Sequence, residues 1–126
     1  MEKIQTFEQL IAWQKAQDLA VLSHNLTKKF PGDERFSLIS QLRRASNSVS
    51  ANIAEGFGRR TSKDKVQFYT IAYGSLLEVK NYLYLAEKLG YLTKKDMIES
   101  LNLVTDTQKL INALMRSIKQ HAQTPN

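Results

Sequence analysis

Every residue from Ala45 to Ala54 is Ala, Ser, Asn, Val or Ile, within a stretch from Gln41 to Gly56 that reads as one helix. A helix with so little side-chain bulk lets neighbouring backbones approach on more than one side, because interaxial distance is set by the side chains at the contact. Arg43 and Arg44 stand near its start, and Glu55-Gly-Phe-Gly-Arg-Arg60 forms its exit. Small centre and charged ends predict a helix packed inside an assembly of helices, not one facing water.

The rest of the chain supplies partners for it. Helical periodicity dominates and no segment alternates for long as a strand would. The first helix is predicted to begin at Thr6, which with Gln9 makes a capping-box pattern. Its apolar stripe is Ala12, Ala16, Leu19, Leu22, Leu26 and Phe30, widened by Trp13 and Ala20. Phe30-Pro31-Gly32-Asp33 stops it. The second helix is predicted from about Asp33 to Phe57, with Leu38, Leu42, Ala45, Val49 and Ile53 inward and Gly56 and Gly58 closing it as left-handed caps. Thr61 and Asp64 open a third helix to about Leu89, closed by Gly90. Gly74 in its middle costs about 1 kcal/mol relative to alanine, which close helix contact would offset. Thr93 and Asp96 open a fourth.

That fourth helix has the cleanest repeat: Met97, Leu101, Val104, Gln108, Ile111, Met115, Ile118 and Ala122, spaced alternately four and three as in a coiled-coil seam. Leu103, Leu110 and Leu114 broaden the arc, which suggests one partner inside the bundle and another outside it. Residues from about 120 to 126 are polar and expected to fray. Four helices joined by short loops predict a single all-α domain over residues 1–126, an antiparallel up-down-up-down four-helix bundle.

Composition narrows the function. With no cysteine, disulfides and thiolate metal sites are excluded, and two histidines, His24 and His121, do not make a metal site. No apolar run reaches membrane-spanning length, and the N-terminus lacks a signal pattern, so a cytoplasmic protein without a membrane partner is expected. Eighteen Lys and Arg against twelve Asp and Glu leave a formal charge of +6, which favours polyanionic partners.

Two groups of polar residues stand out. Arg44, Ser48, Asn52, Glu55 and Arg59 share a face of the second helix. Short Ser and Asn at its centre suit a packed polar contact with another helix or subunit, and Glu78 is a candidate partner for Arg43 or Arg44. The second group is Arg59, Arg60, Lys63 and Lys65, gathered at the turn between helices two and three. In an up-down bundle Arg116 and Lys119 reach the same end, while Lys28, Lys29, Lys88, Lys94 and Lys95 collect at the other. Either end could hold phosphates, helped by the helix N-termini there, and the Arg59–Lys65 cluster, denser and containing arginines, is the first choice. Tyr69 and Tyr73, four apart, could stack on bases but more often mark packing. Glu55 and Glu78 could serve as paired acid and base, yet no nucleophile, metal-ligand cluster or phosphate loop accompanies them. No enzyme activity and no cofactor are expected.

Phe7-Glu-Gln-Leu-Ile-Ala-Trp-Gln-Lys-Ala16, Phe30-Pro31, Gln41-Leu-Arg-Arg-Ala45, Asn52-Ile-Ala-Glu-Gly56 and Ala72-Tyr-Gly-Ser-Leu-Leu-Glu78 follow in an order that resembles the 23S rRNA-intervening-sequence protein family, also called the four-helix bundle protein family. The resemblance covers nearly the whole chain. It implies a bundle that assembles into a ring, commonly a homopentamer, encoded in insertions within bacterial 23S rRNA genes or elsewhere in bacterial genomes. The family is similar to the accessory variability protein of diversity-generating retroelements, a basic pentameric bundle that works with a reverse transcriptase and nucleic acid. The combined expectation is a non-enzymatic ring-forming protein that binds nucleic acid, RNA favoured, through Arg59, Arg60, Lys63 and Lys65. The alternative is an interaction scaffold for a nucleic-acid-handling protein.

Overall fold

A computed structural model describes residues 3–123, with side chains to residue 120. The expected tail, with His121 and Ala122, otherwise lies outside these side chains, although the last helix continues to Gln123. The helices are α1 (Ile11–Thr27), α2 (Ser40–Phe57), α3 (Ser62–Lys88) and α4 (Lys94–Gln123), with no strand among the described residues. Each packs on its sequence neighbours, and α1 also packs on α4.

Paired contacts show the directions. Between α1 and α2, Gln17 meets Ser50 and Thr27 meets Arg43. Between α2 and α3, Arg44 meets Glu78 and Ser48 meets Ser75. Between α3 and α4, Thr70 meets Met115 and Tyr73 meets Gln108. In each pair one number rises as the other falls, so neighbours run antiparallel in an up-down-up-down four-helix bundle. Leu19, Leu42, Ile53, Leu76, Leu83 and Ile111 are fully buried between the helices, and each contributes about 1.5–3 kcal/mol by leaving water.

The helix starts and stops follow local chemistry. Thr61 Oγ1 accepts from the Asp64 N–H at 3.1 Å. At α4 the box is reciprocal: Asp96 N–H donates to Thr93 Oγ1 (3.1 Å) and Thr93 N–H to Asp96 Oδ2 (3.0 Å). Gly90 has φ +84 and closes α3 as a Schellman motif, with Tyr91 N–H donating to Ala86 O and Gly90 N–H to Glu87 O, both 2.9 Å.

Several expectations need correction. The first helix does not start at Thr6. A short 3-10 turn, Phe7–Gln9, comes first, Gln9 Oε1 accepting from the Thr6 N–H, and extended Leu10 separates it from α1. The second helix does not run continuously from Asp33. A 3-10 turn at Gly32–Glu34 leads into a wide π turn at Arg35–Ile39, where Ser37 leaves helical geometry (φ −126, ψ −105). That break leaves Phe36 88% exposed while Leu38 is buried.

Gly58 is not a left-handed cap, since its φ is −77. Gly74 is exposed and a Cβ there would meet nothing within 4 Å, so no close contact inside the chain offsets its cost. The close approach falls at Gly56 instead. On α4 the buried row is Met97, Ser100, Val104, Thr107 and Ile111, with Leu101 and Gln108 only half-buried. The two hydroxyls are admitted because each bonds its own helix, Ser100 to Asp96 O and Thr107 to Leu103 O. The broad apolar arc of α4 packs on both α1 and α3.

Candidate nucleic-acid interface

The polar line of α2 faces α3, as its short side chains suggested. Arg44 Nη2 donates to Glu78 Oε2 at 2.6 Å, and Arg44 Nε to Gln41 Oε1 at 3.1 Å. The Glu78 bond, more than its charge alone, raises the Arg44 pKa further above its ordinary value. Both side chains are about half exposed, at 52% and 43%, so solvent screening holds the pair to under about 1 kcal/mol. Ser48 and Ser75 join Oγ to Oγ at 2.9 Å, and Asn52 Nδ2 donates to Ser48 O and Oγ. Arg43 points the other way. Its Nε donates to Thr27 Oγ1 at 2.8 Å, placing its charge at the C-terminus of α1, where the helix dipole favours a cation.

Glu55 bonds Arg59 Nη2 at 3.0 Å, and Glu78 bonds Arg44. Since Glu78 sits opposite Arg44, Glu55 lies eleven residues farther along α2, about 16 Å away at helical rise. The structure does not bring the two carboxylates together. Among the described residues no group of three or more His, Asp or Glu could hold a metal ion, and no helix is long and apolar enough to cross a membrane.

The α2–α3 turn separates its four cations into two kinds. Arg59 is engaged: it pairs with Glu55, and its guanidinium lies 4.5 Å from the Phe68 ring centroid. Lys65 is engaged as well, its Nζ donating to Phe57 O at 2.6 Å and so satisfying the end of α2. Arg60 and Lys63 are exposed and make no ion pair or hydrogen bond among the described residues. Lys63 shares a hollow of about 270 Å³ with Ser62, Val66, Ile118 and Lys119, so α4 delivers Lys119 to the same place. Lys63 and Lys119 thus meet beside the N-terminus of α3, two residues after Arg60, and the helix dipole there adds partial positive charge.

At the opposite end, Lys29 Nζ bonds Asp96 Oδ2 at 2.8 Å. That bond, with the Thr93 contacts, lowers the Asp96 pKa below its ordinary value. Tyr91 donates to Glu34 Oε2 at 2.9 Å, and this bond raises its pKa. Of the tyrosines weighed for stacking, Tyr69 is 1% exposed and belongs to the core, where burial raises its pKa. Tyr73 is half-buried, its hydroxyl accepting from Gln108 Nε2 at 2.9 Å.

Sequence reasoning missed one concave feature. An open groove of about 590 Å³ runs between α1 and α2, with Phe7 and Trp13 toward one end and His24 and Asn47 toward the other. Ala51 and Ala54, small residues of the opening motif, lie along it. The signal was present in the same Ala-Ser-Asn run, but periodicity assigned Trp13 to the bundle stripe.

Fold and surface together define an all-α four-helix protein with positive charge unpaired among the described residues at both ends, Arg60, Lys63 and Lys119 at one and Lys28, Lys88, Lys94 and Lys95 at the other. The chain belongs to the 23S rRNA-intervening sequence protein family, whose family model matches residues 8–113. It is also similar in fold to a solved protein of unknown function from the S23 ribosomal protein family of Bacteroides thetaiotaomicron VPI-5482. The TM-score is 0.77 at 24% identity, covering 83% of this chain and 98% of that one. A comparison with the curated proteins gives no match.

Proposed function

We propose that this chain is a non-enzymatic bundle protein that assembles into a homo-oligomeric ring, a pentamer by its resemblance, and binds nucleic acid, RNA in preference. The observation that carries the reading is the meeting of Lys63 and Lys119 in one hollow beside the α3 N-terminus, with Arg60 two residues before that helix and none of the three ion-paired among the described residues. Such an arrangement serves phosphates through charge and carries little sequence readout. A ring would repeat the patch and multiply a weak affinity wherever several copies reach one polyanion. Arg59 and Lys65 shape the turn from which the contacts are made. No cofactor enters this reading, and a cytoplasmic setting fits it.

The test is a salt titration of RNA and duplex DNA binding. Salt-sensitive binding weakened by reversing Arg60, Lys63 and Lys119 is expected; absence of binding at low salt sinks the proposal. Light scattering checks the assembly, and a monomer at micromolar concentration contradicts the ring.

A second reading draws on α3, where Ile71, Leu77 and Leu85 are 44–45% exposed around open Gly74. An exposed apolar row of this kind supports self-assembly, or docking on a nucleic-acid-handling protein. Likeness to the accessory variability protein of diversity-generating retroelements would cast that partner as a reverse transcriptase. A stoichiometric protein complex that survives ribonuclease favours the scaffold.

A further inference from the structure

We infer that the α1–α2 groove receives an unpaired base of a single-stranded nucleic acid whose phosphates lie on Arg60 and Lys63. The inference rests on the nucleic-acid reading above and adds to it the kind of strand recognised.

Position supports it first. The aromatic end of the groove and the basic turn occupy the same end of the bundle, because α1 begins where α2 finishes. Ala54 lines the groove, α2 ends three residues later at Phe57, and Arg60 stands in the turn that follows. One strand can therefore engage both features.

Chemistry supports it next. No Lys, Arg, Asp or Glu lines the groove, so the portion of a ligand that enters is neutral. Phe7 and Trp13 meet edge to face, with centroids 5.1 Å apart and planes at 68°, and present flat aromatic surface. Ala51 and Ala54 leave room for a planar group beside them. The volume of about 590 Å³ falls within the range of about 300–1,000 Å³ common to small-molecule sites.

Hydrogen-bonding capacity remains along the groove. Gln17 Nε2 donates to Ser50 Oγ at 2.9 Å, which leaves Gln17 Oε1 as an acceptor. His24 Nε2–H donates to Asn47 Oδ1 at 3.0 Å, which leaves the Asn47 amide N–H as a donor. A base edge offers the complement of such a pair. In a duplex the bases are stacked and paired, so only an unpaired base has its face available.

Trp13 is the single tryptophan of the chain, so its emission reports the groove directly. The chain is titrated at low salt with single-stranded oligoadenylate and with an RNA duplex of equal charge. Quenching by oligoadenylate but not by duplex is expected. Trp13→Leu is expected to weaken oligoadenylate binding roughly five- to 150-fold, the range of one base–aromatic stack, and to leave duplex binding unchanged. Ala51→Leu, at an exposed position, fills the groove while leaving the core intact and is expected to abolish the quenching. Salt-sensitive oligoadenylate binding with unquenched Trp13 and no effect of Ala51→Leu overturns the inference and leaves the nucleic-acid reading standing. Equal quenching by duplex overturns it too. Failure of both nucleic acids to bind at low salt overturns both readings.

Discussion

Gly56 on α2 leaves the Tyr69 ring on α3 only the space that a missing side chain provides. A Cβ at position 56 would lie 2.8 Å from Tyr69 Cε1 and 3.0 Å from Phe68 Cβ. Tyr69 is 1% exposed and cannot swing away without opening the core. This contact joins the end of α2 to the start of α3, and so positions the turn that carries Arg60 and Lys63.

Gly56→Ala sets a helix-propensity gain of about 1 kcal/mol against an overpacking cost of about 1–3 kcal/mol. The buried ring gives no easy relief, so the net effect is expected to be a loss of up to about 2 kcal/mol, read as a lower urea midpoint. Gly74→Ala meets nothing within 4 Å. It is expected to raise stability by up to about 1 kcal/mol. Equal effects from the two substitutions would contradict this packing.

Ser23 Oγ is buried and has no hydrogen-bond partner among the described residues. Leaving a hydroxyl unsatisfied costs about 1–3 kcal/mol. Ser23→Ala is therefore expected to stabilise the chain by about 1 kcal/mol, measured by chemical denaturation. A destabilised variant would show that the hydroxyl has a partner.

Asp96 has a lowered folded-state pKa because of its Lys29 bond and the Thr93 contacts. Its contribution is present above the unfolded value, near 3.8, and is lost as pH falls through the lower folded value. Asp96→Asn is expected to cost about 1 kcal/mol at neutral pH and to flatten the stability profile in the acid range. Thermal unfolding as a function of pH checks both.

Lys65 and Lys63 are separable by what each touches. Lys65→Ala removes the donor to Phe57 O and is expected to lower stability by about 0.5–1.5 kcal/mol. Lys63→Ala and Arg60→Ala are expected to leave unfolding unchanged. Each is expected to reduce the slope of log affinity for RNA against log salt by about 0.7–0.9 for every phosphate the side chain neutralises.

The helices and two of their starts were legible because they rest on short-range chemistry. The Thr61–Asp64 and Thr93–Asp96 pairs cap three residues away, and Gly90 supplies a positive φ only where a glycine stands. The break at Arg35–Ile39 was not legible, since no glycine or proline stands within it. Gly74 and Gly56 look alike in sequence. Whether a glycine accommodates a neighbour depends on the facing helix, and Gly56 happens to face Tyr69.

The candidate site divides in the same manner. That the Arg59–Lys65 segment carries four cations is a property of the sequence. That Glu55 pairs with Arg59 follows from their i,i+4 spacing, whereas that Lys65 reaches back to Phe57 O and that Lys119 arrives beside Lys63 depends on how the helices pack. The groove beside Trp13 exists only because α1 lies along the small-residue side of α2.

The sequence alone determined where helices form and which stripe of each is apolar, because backbone capping and the 3.6-residue period act over one or two turns. Only the tertiary structure decided which charges remain unpaired and which small residues border open space. Those properties belong to pairs of side chains distant in the chain, and nothing sets their separation until the helices pack.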